Sequence, residues 1–161
     1  MPFPRSGRAL QSLSAAAMSA LLLASAMKHF RDPRFYRQVV PDYLCLEGRD
    51  NGTEPDRRRP FAVMTREEWI AVSGLLELAA AAGLLVPPAR KATATALAAM
   101  FTVFLAGHVD ALRHAYSPEG TPVQRKMHTL RLPLQAPLIL WAWSLRKPAS
   151  APDRPAPGAW T

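Results

Sequence analysis

The sequence is poor in cysteine, and this excludes several classes of redox and metal-binding protein. Its 161 residues contain a single cysteine, Cys45. One cysteine cannot form an intramolecular disulfide, a CxxC redox motif or a CxxC zinc site, and it provides no dithiol mechanism. We interpret Cys45 as an ordinary thiol in a loop.

The sequence also lacks a recognisable metal or phosphate motif. Its four histidines, His29, His108, His114 and His128, do not share the spacing of metal ligands. His114 instead follows Asp110 by four residues, a spacing at which the two side chains can pair at a helix end. There is no glycine-rich phosphate loop and no internal repeat. We therefore predict no metal site, and no cofactor follows from a motif.

Acidic residues are fewer than basic ones, with 12 Asp and Glu against 20 Lys and Arg and a net charge of +8. Nucleic-acid binding would need a basic face interleaved with aromatic residues on a soluble fold. Here the cations instead flank apolar tracts, as in Arg5, Arg8, Arg90-Lys91, Arg125-Lys126 and Arg146-Lys147. Anionic lipid headgroups attract cations at such positions. We predict a membrane flank and no nucleic-acid partner.

Four apolar tracts together cover about half of the chain, at roughly residues 9–27, 68–86, 92–112 and 128–145. A helix needs about 20 apolar residues to cross a hydrocarbon core about 30 Å thick. The fold class predicted is therefore all-α, a four-transmembrane-helix bundle with a long polar loop between helices 1 and 2. Residues 1–147 form a single membrane domain in this prediction, and the proline-rich tail 148–161 is predicted to be disordered.

The first tract has a second interpretation. A short basic stretch precedes it, and Ala24-Ser25-Ala26 has the small-x-small form of a signal-peptidase site. Cleavage there would leave three spans. Lys28-His29 follows at once and is typical of a helix end, so we favour retention as a membrane helix.

Several local features predict where the other elements begin and end. Thr65 is predicted to cap the second helix, with Glu68 completing a capping box, and Pro87-Pro88 to end it. Residues 30–44 are predicted to form a short amphipathic piece in the headgroup region, and residues 47–60 to be mobile. A loop is predicted from Tyr116 to Lys126. Pro133 and Pro137 are expected to bend the fourth helix.

Glu77 lies near the middle of the second tract. An ionisable group at this depth costs roughly 2.5 kcal/mol or more, so it should face the protein interior and have a partner. The residues that share its helix face, Ser73, Gly74, Ala80 and Ala81, are all small. We expect another helix to approach closely there.

Depth along the helices suggests which residues meet Glu77. Counting residues from the helix ends places His29, His108 and Arg131 in the same half of the bundle as Glu77. We predict a buried Glu77–Arg131 ion pair with His108 nearby, in a polar cluster that also includes His29 and Gln135. The alternatives are that Arg131 extends to the interface, that Glu77 stays protonated in a helix–helix hydrogen bond, and that His108 caps a backbone carbonyl.

An ordered set of residues resembles the DoxX family of small bacterial membrane proteins. The set comprises His29-Phe30, Pro33, Phe35 and Val40-Pro41, then Ser73-Gly74 and Glu77 through Gly83 to Pro87 with Arg90, and finally Arg131 through Gln135 with Trp141 and Trp143. It spans about residues 15–146. Two features depart from the family: residues 46–66 make a longer link, and Leu105–Asp110 lacks the usual Pro-x-Asn element.

The resemblance implies a four-helix protein in the bacterial inner (plasma) membrane. Some DoxX relatives are subunits of thiosulfate:quinone oxidoreductase or partners of redox enzymes. We therefore expect an accessory or assembly component of a membrane redox system, with a membrane or soluble redox-protein partner, rather than a self-sufficient enzyme. Two other functions remain open: a quinone-handling subunit that uses Glu77, His108 and Arg131, and a small-solute or proton carrier that uses the same residues.

Overall fold

The computed structural model describes residues 6–46 and 62–147. Four α-helices follow one another: α1 (Ser6–Arg31), α2 (Arg66–Leu85), α3 (Arg90–Ala115) and α4 (Pro122–Ser144). Two short 3₁₀ helices, Pro33–Val39 and Asp42–Leu44, lie between α1 and α2; we call residues 33–44 the connecting segment. The all-α fold class is confirmed. The predictions of a mobile stretch at 47–60 and a disordered tail at 148–161 lie outside the described residues.

The helix boundaries follow from caps and prolines. The Thr65 side chain accepts a hydrogen bond from the Glu68 backbone N–H, and Glu68 bonds back to the Thr65 N–H, so the predicted capping box is confirmed. A second capping box, between Thr121 and Gln124, starts α4 at Pro122. The loop predicted as far as Lys126 is therefore wrong in its second half, because proline at the first helical position favours a helix start. Pro133 and Pro137 both lie inside α4.

The four helices close into a bundle. α1 packs on α2, α2 on α3, and α3 on α4. Two side-chain hydrogen bonds tie α1 to α2 and α4: Ser19 Oγ donates to Ala81 O at 2.8 Å, and Trp141 Nε1 donates to Ser14 Oγ at 2.8 Å. The core between the helices contains Met18, Leu22, Leu84, Leu97 and Phe101.

Much of the outward surface of the bundle is apolar. More than half of the side-chain surface is exposed at Leu10, Leu13, Leu75, Leu76, Val103, Leu130, Leu134 and Leu140. Large exposed apolar surfaces mark contact with a membrane or a protein partner. This surface is compatible with contact with a lipid bilayer.

Within the part of the chain that the structure describes, three helices are long and apolar enough to cross a membrane by length and composition, namely α1 from Gly7, α2 and α3. α4 is not among them, because His128, Arg131 and Gln135 lie within its most apolar part and lower its mean hydropathy. α1, α2 and α3 thus agree with the first three spans predicted from the sequence. By length and composition together, α4 does not support the fourth predicted span.

Two glycines fix how closely the elements approach. A Cβ atom at Gly74 would lie 2.9 Å from the His29 Cβ, so α1 and α2 meet there with no room for a side chain. A Cβ atom at Gly107 would collide with the Val39 carbonyl oxygen, so the connecting segment lies directly on α3. The expectation that small residues around Glu77 admit another helix is confirmed, and that helix is α1.

Replacement of Gly74 by valine is expected to separate α1 from α2. Overpacking at a tight contact costs about 1–3 kcal/mol, so Gly74→Val should lower the midpoint of thermal unfolding in detergent, followed by circular dichroism. Gly7→Val is the matched control, because nothing lies within 4 Å of a Cβ at Gly7. That variant should change stability by about 0.5 kcal/mol or less. Equal effects of the two substitutions would contradict the close contact.

Candidate functional site

Glu77 is the buried acid around which the candidate site is built. It lies on the face of α2 that also carries Gly74 and Ala81, and only 5% of its surface is exposed. Because Gly74 lets α1 come close, the imidazole of His29 reaches the carboxyl group. His29 Nδ1 lies 3.6 Å from Glu77 Oε2, and both side chains are buried.

The hydrogen bonding of His29 leaves Glu77 incompletely satisfied. His29 Nδ1 lies 3.0 Å from the Ser25 carbonyl oxygen. A carbonyl oxygen only accepts, so Nδ1 carries a hydrogen and donates it there. The 3.6 Å separation from Glu77 is too long for a second hydrogen bond. Glu77 Oε2 accordingly has no hydrogen-bond partner among the residues the structure describes.

The connecting segment contributes an aromatic wall to this pair. The ring of Tyr36 stacks on that of His29, with centroids 3.6 Å apart and an interplanar angle of 19°. The Tyr36 hydroxyl lies 3.4 Å from Ser25 Oγ, and the Ser25 side chain is within interaction range of the Glu77 carboxyl. Burial raises the pKa of the Tyr36 phenol; its hydrogen bond with Ser25 opposes this, and the charge on Glu77 adds to it.

The predicted Glu77–Arg131 ion pair is wrong. Among the described residues, His29 is the basic side chain that lies within ion-pair distance of Glu77. The guanidinium of Arg131 instead lies over the Phe35 ring, 4.1 Å from its centroid, and Lys28 Nζ lies 4.0 Å from the same centroid. The connecting segment folds over the end of the bundle and offers Arg131 an aromatic surface closer than Glu77, whose neighbour is α1.

The remaining predicted residues lie on α3 and α4. His108 is half-buried, within electrostatic range of Arg131 and His128, and its Nδ1 has no hydrogen-bond partner in the described residues. Gln135 is 8% exposed, and its Oε1 is also without such a partner. The structure thus brings His29 and Glu77 into contact, and leaves Arg131, His108 and Gln135 outside that contact.

Three residues of the polar cluster were not predicted from the sequence: Tyr36, Ser25 and His128. His128 is 2% exposed, and its Nε2 lies 3.1 Å from Gln38 Oε1. It precedes Arg131 by three residues, which places both on one helix face, and this spacing was the available signal. Tyr36 gave a weaker signal as part of the predicted amphipathic piece.

A polar cleft opens beside the cluster, between the connecting segment and the ends of α3 and α4. It has a volume of about 520 Å³, and His128 is one of its lining residues. Several of its charged side chains are paired: Arg66 pairs with Asp42 and donates to Val40 O at 2.7 Å, and His114 Nδ1 lies 3.6 Å from Asp110 Oδ2. The expected pairing of Asp110 with His114 is confirmed.

The arrangement suits hydrogen bonding rather than metal binding. Within residues 6–46 and 62–147, no three His, Cys, Asp or Glu side chains lie together as metal ligands would. Cys45 is buried, and its Sγ donates to Pro41 O at 3.4 Å. The Glu77–His29 pair, by contrast, places one acidic and one basic group side by side inside the bundle.

Comparison with known proteins places the chain in a family. The family model described as Domain of unknown function (DUF8561) matches residues 18–146. The chain belongs to this family. The DUF8561 match includes every residue of the cluster, from Ser25 to Gln135. No curated protein and no solved structure matches the chain.

Tyr36 is expected to make folding sensitive to alkaline pH. Because its pKa in the folded state lies above the usual value of about 10, the folded state holds the phenolic proton more tightly than the unfolded state. The corresponding stability is complete below about pH 10 and is lost as the pH rises through the folded-state pKa.

The measurement is the unfolding midpoint against pH for the wild type and for Tyr36→Phe. The wild type should lose more stability above about pH 10 than the variant. Tyrosinate absorbance should also show that Tyr36→Phe removes a phenol that titrates late. Parallel stability curves for the two proteins would contradict the burial of this phenol.

Proposed function

We propose that this chain is a four-span integral protein of the bacterial inner membrane and an accessory component of a membrane redox system. Its buried Glu77–His29 pair would bind the hydroxyl group of a quinol. The redox association is supported by the DoxX resemblance of the sequence.

The outward face of α4 supports a fourth span. Between Met127 and Trp143 its exposed residues are apolar except for Thr129, whose hydroxyl lies 3.2 Å from the Tyr116 hydroxyl. The polar residues of the same stretch, His128, Arg131 and Gln135, are buried or half-buried. A helix of this length rises about 25 Å, close to the thickness of a hydrocarbon core. The mean hydropathy of α4 does not show this pattern, because it averages the exposed apolar residues with the buried polar ones.

One observation carries the assignment of a ligand: Glu77 Oε2 is buried and has no hydrogen-bond partner among the described residues. A buried acceptor without a donor is destabilising, and in native proteins it calls for a functional explanation. A quinol hydroxyl is a donor that would satisfy this oxygen. The Tyr36 ring, which stacks on His29 and is half-buried, is an aromatic surface against which a quinol ring could pack.

The fourth span can be tested with reporter fusions placed on either side of α4. Paired alkaline phosphatase and green fluorescent protein reporters are attached after Gly120 in one set of fusions and after Lys147 in the other. If α4 crosses the membrane, the two positions lie in opposite compartments and their reporter activities are opposite. The same reporter active at both positions would contradict a fourth span.

The quinol assignment predicts that Glu77→Gln weakens binding of a short-chain quinol to the purified protein in lipid nanodiscs. Loss or weakening of this hydrogen bond should raise the dissociation constant about fivefold. Glu67→Gln is the matched control, since Glu67 is on the same helix but is exposed and paired with Arg37. Equal affinity of Glu77→Gln and the wild type would contradict the assignment.

A further inference from the structure

At the end of the bundle opposite the connecting segment lies a cavity whose charged lining residues are all cations. We call this end, formed by the start of α1, residues 86–91 and the end of α4, the turn end. A cavity of about 470 Å³ lies there. The cations that line it are Arg8, Arg90, Lys91, Arg146 and Lys147, and no carboxylate lines it.

The rest of the described chain supplies no balancing charge at the turn end. Apart from Glu77, which is paired with His29, the carboxylates of the described residues all lie at the opposite end of the bundle: Asp32, Asp42, Glu67, Glu68, Asp110 and Glu119. The described ion pairs are accordingly found away from the turn end. The cations of the cavity therefore repel one another without a carboxylate to offset them.

Helix polarity makes this arrangement more unfavourable. α1 and α3 both begin at the turn end, and neither has an acidic residue in its first turn. The N-cap residue of α3, Ala89, makes no side-chain hydrogen bond to the helix. Arg8, Arg90 and Lys91 lie in these first turns, where the positive end of the helix dipole disfavours cations. An anion bound at the turn end would relieve both effects, since helix N-termini bind anions readily.

Arg146 provides an independent sign of a missing partner. Its guanidinium lies 3.1 Å from the centroid of the Trp143 ring, and its Nε is buried with no hydrogen-bond partner in the described residues. Indole rings favour the headgroup level of a membrane. Trp143 therefore indicates that the cavity lies at the depth of lipid phosphates.

We propose that the turn end binds the phosphate group of an anionic phospholipid. The cations of the cavity, the N-terminus of α3 with no side-chain cap and the unpaired Arg146 Nε form a site for a phosphate anion. The inference rests on the proposed membrane-spanning bundle, which puts this cavity beside the headgroups.

The test compares lipids that remain bound to the protein. The full chain is incorporated into nanodiscs of phosphatidylcholine with one part in four of phosphatidylglycerol, extracted with mild detergent and analysed by native mass spectrometry. The wild type should retain phosphatidylglycerol in excess over its share of the bilayer. Arg8→Gln with Lys91→Gln should reduce this retention about fivefold for each cation removed, and Arg146→Gln should reduce it as well.

Arg113→Gln with Lys126→Gln is the matched control, because it removes the same charge from exposed positions at the opposite end. This variant should retain phosphatidylglycerol as the wild type does. Equal loss in the control, or wild-type retention in proportion to the bilayer, would overturn the proposal. The folding of each variant is checked by circular dichroism, since Arg8 and Lys91 are exposed and their substitution should leave the fold intact.

Two further arms distinguish the lipid from free phosphate and test the bundle by itself. Inorganic phosphate added in zwitterionic detergent should raise the unfolding midpoint less than phosphatidylglycerol does; an equal rise would identify free phosphate as the ligand and overturn the lipid assignment.

Nanodiscs of phosphatidylcholine alone test the membrane-spanning bundle separately. Incorporation there without phosphatidylglycerol preference in the mixed discs would overturn the lipid site and leave the bundle intact.

Discussion

The close contact between α1 and α2 at Gly74 is the constraint on which the polar cluster depends. With no side chain at this position, His29 comes against α2 one helical turn from Glu77. Burying a carboxyl group in an apolar bundle is costly, and a nearby imidazole offsets part of that cost. The packing of two apolar helices and the placement of the Glu77–His29 pair therefore have the same cause.

The connecting segment covers the Glu77–His29 pair and forms one wall of the candidate site. It lies on α3 at Gly107, stacks Tyr36 on His29, and presents Phe35 to the cations Lys28 and Arg131. These aromatic contacts hold the segment over the end of the bundle and keep Arg131 away from Glu77. One end of the molecule thus carries both acidic and basic side chains, several of them paired, and the other carries only cations among the described residues.

Much of this organisation could be predicted from the sequence. Local signals were enough for these features. The hydrophobic tracts predicted the helices, the Thr65 capping box predicted the start of α2, and the small residues around Glu77 predicted the close approach of another helix. The partner of Glu77 could not be predicted, because counting residues along a helix gives depth but not which neighbouring helix faces the acid. The start of α4 was also missed, since Thr121 and Gln124 lie in a stretch rich in proline and glycine. Tyr36 depends on a 3₁₀ turn that tertiary contacts with α1 and α3 hold in place.

The central claim is that His29, and not Arg131, is the partner of Glu77 inside the bundle. Solid-state nuclear magnetic resonance on the protein in lipid bilayers tests it most directly, through the dipolar coupling between the Glu77 carboxyl carbon and ring or guanidinium nitrogens. The structure predicts a strong coupling to His29 Nδ1, consistent with the 3.6 Å separation from Oε2, and none to the Arg131 guanidinium. A strong coupling to Arg131 together with none to His29 would contradict the account.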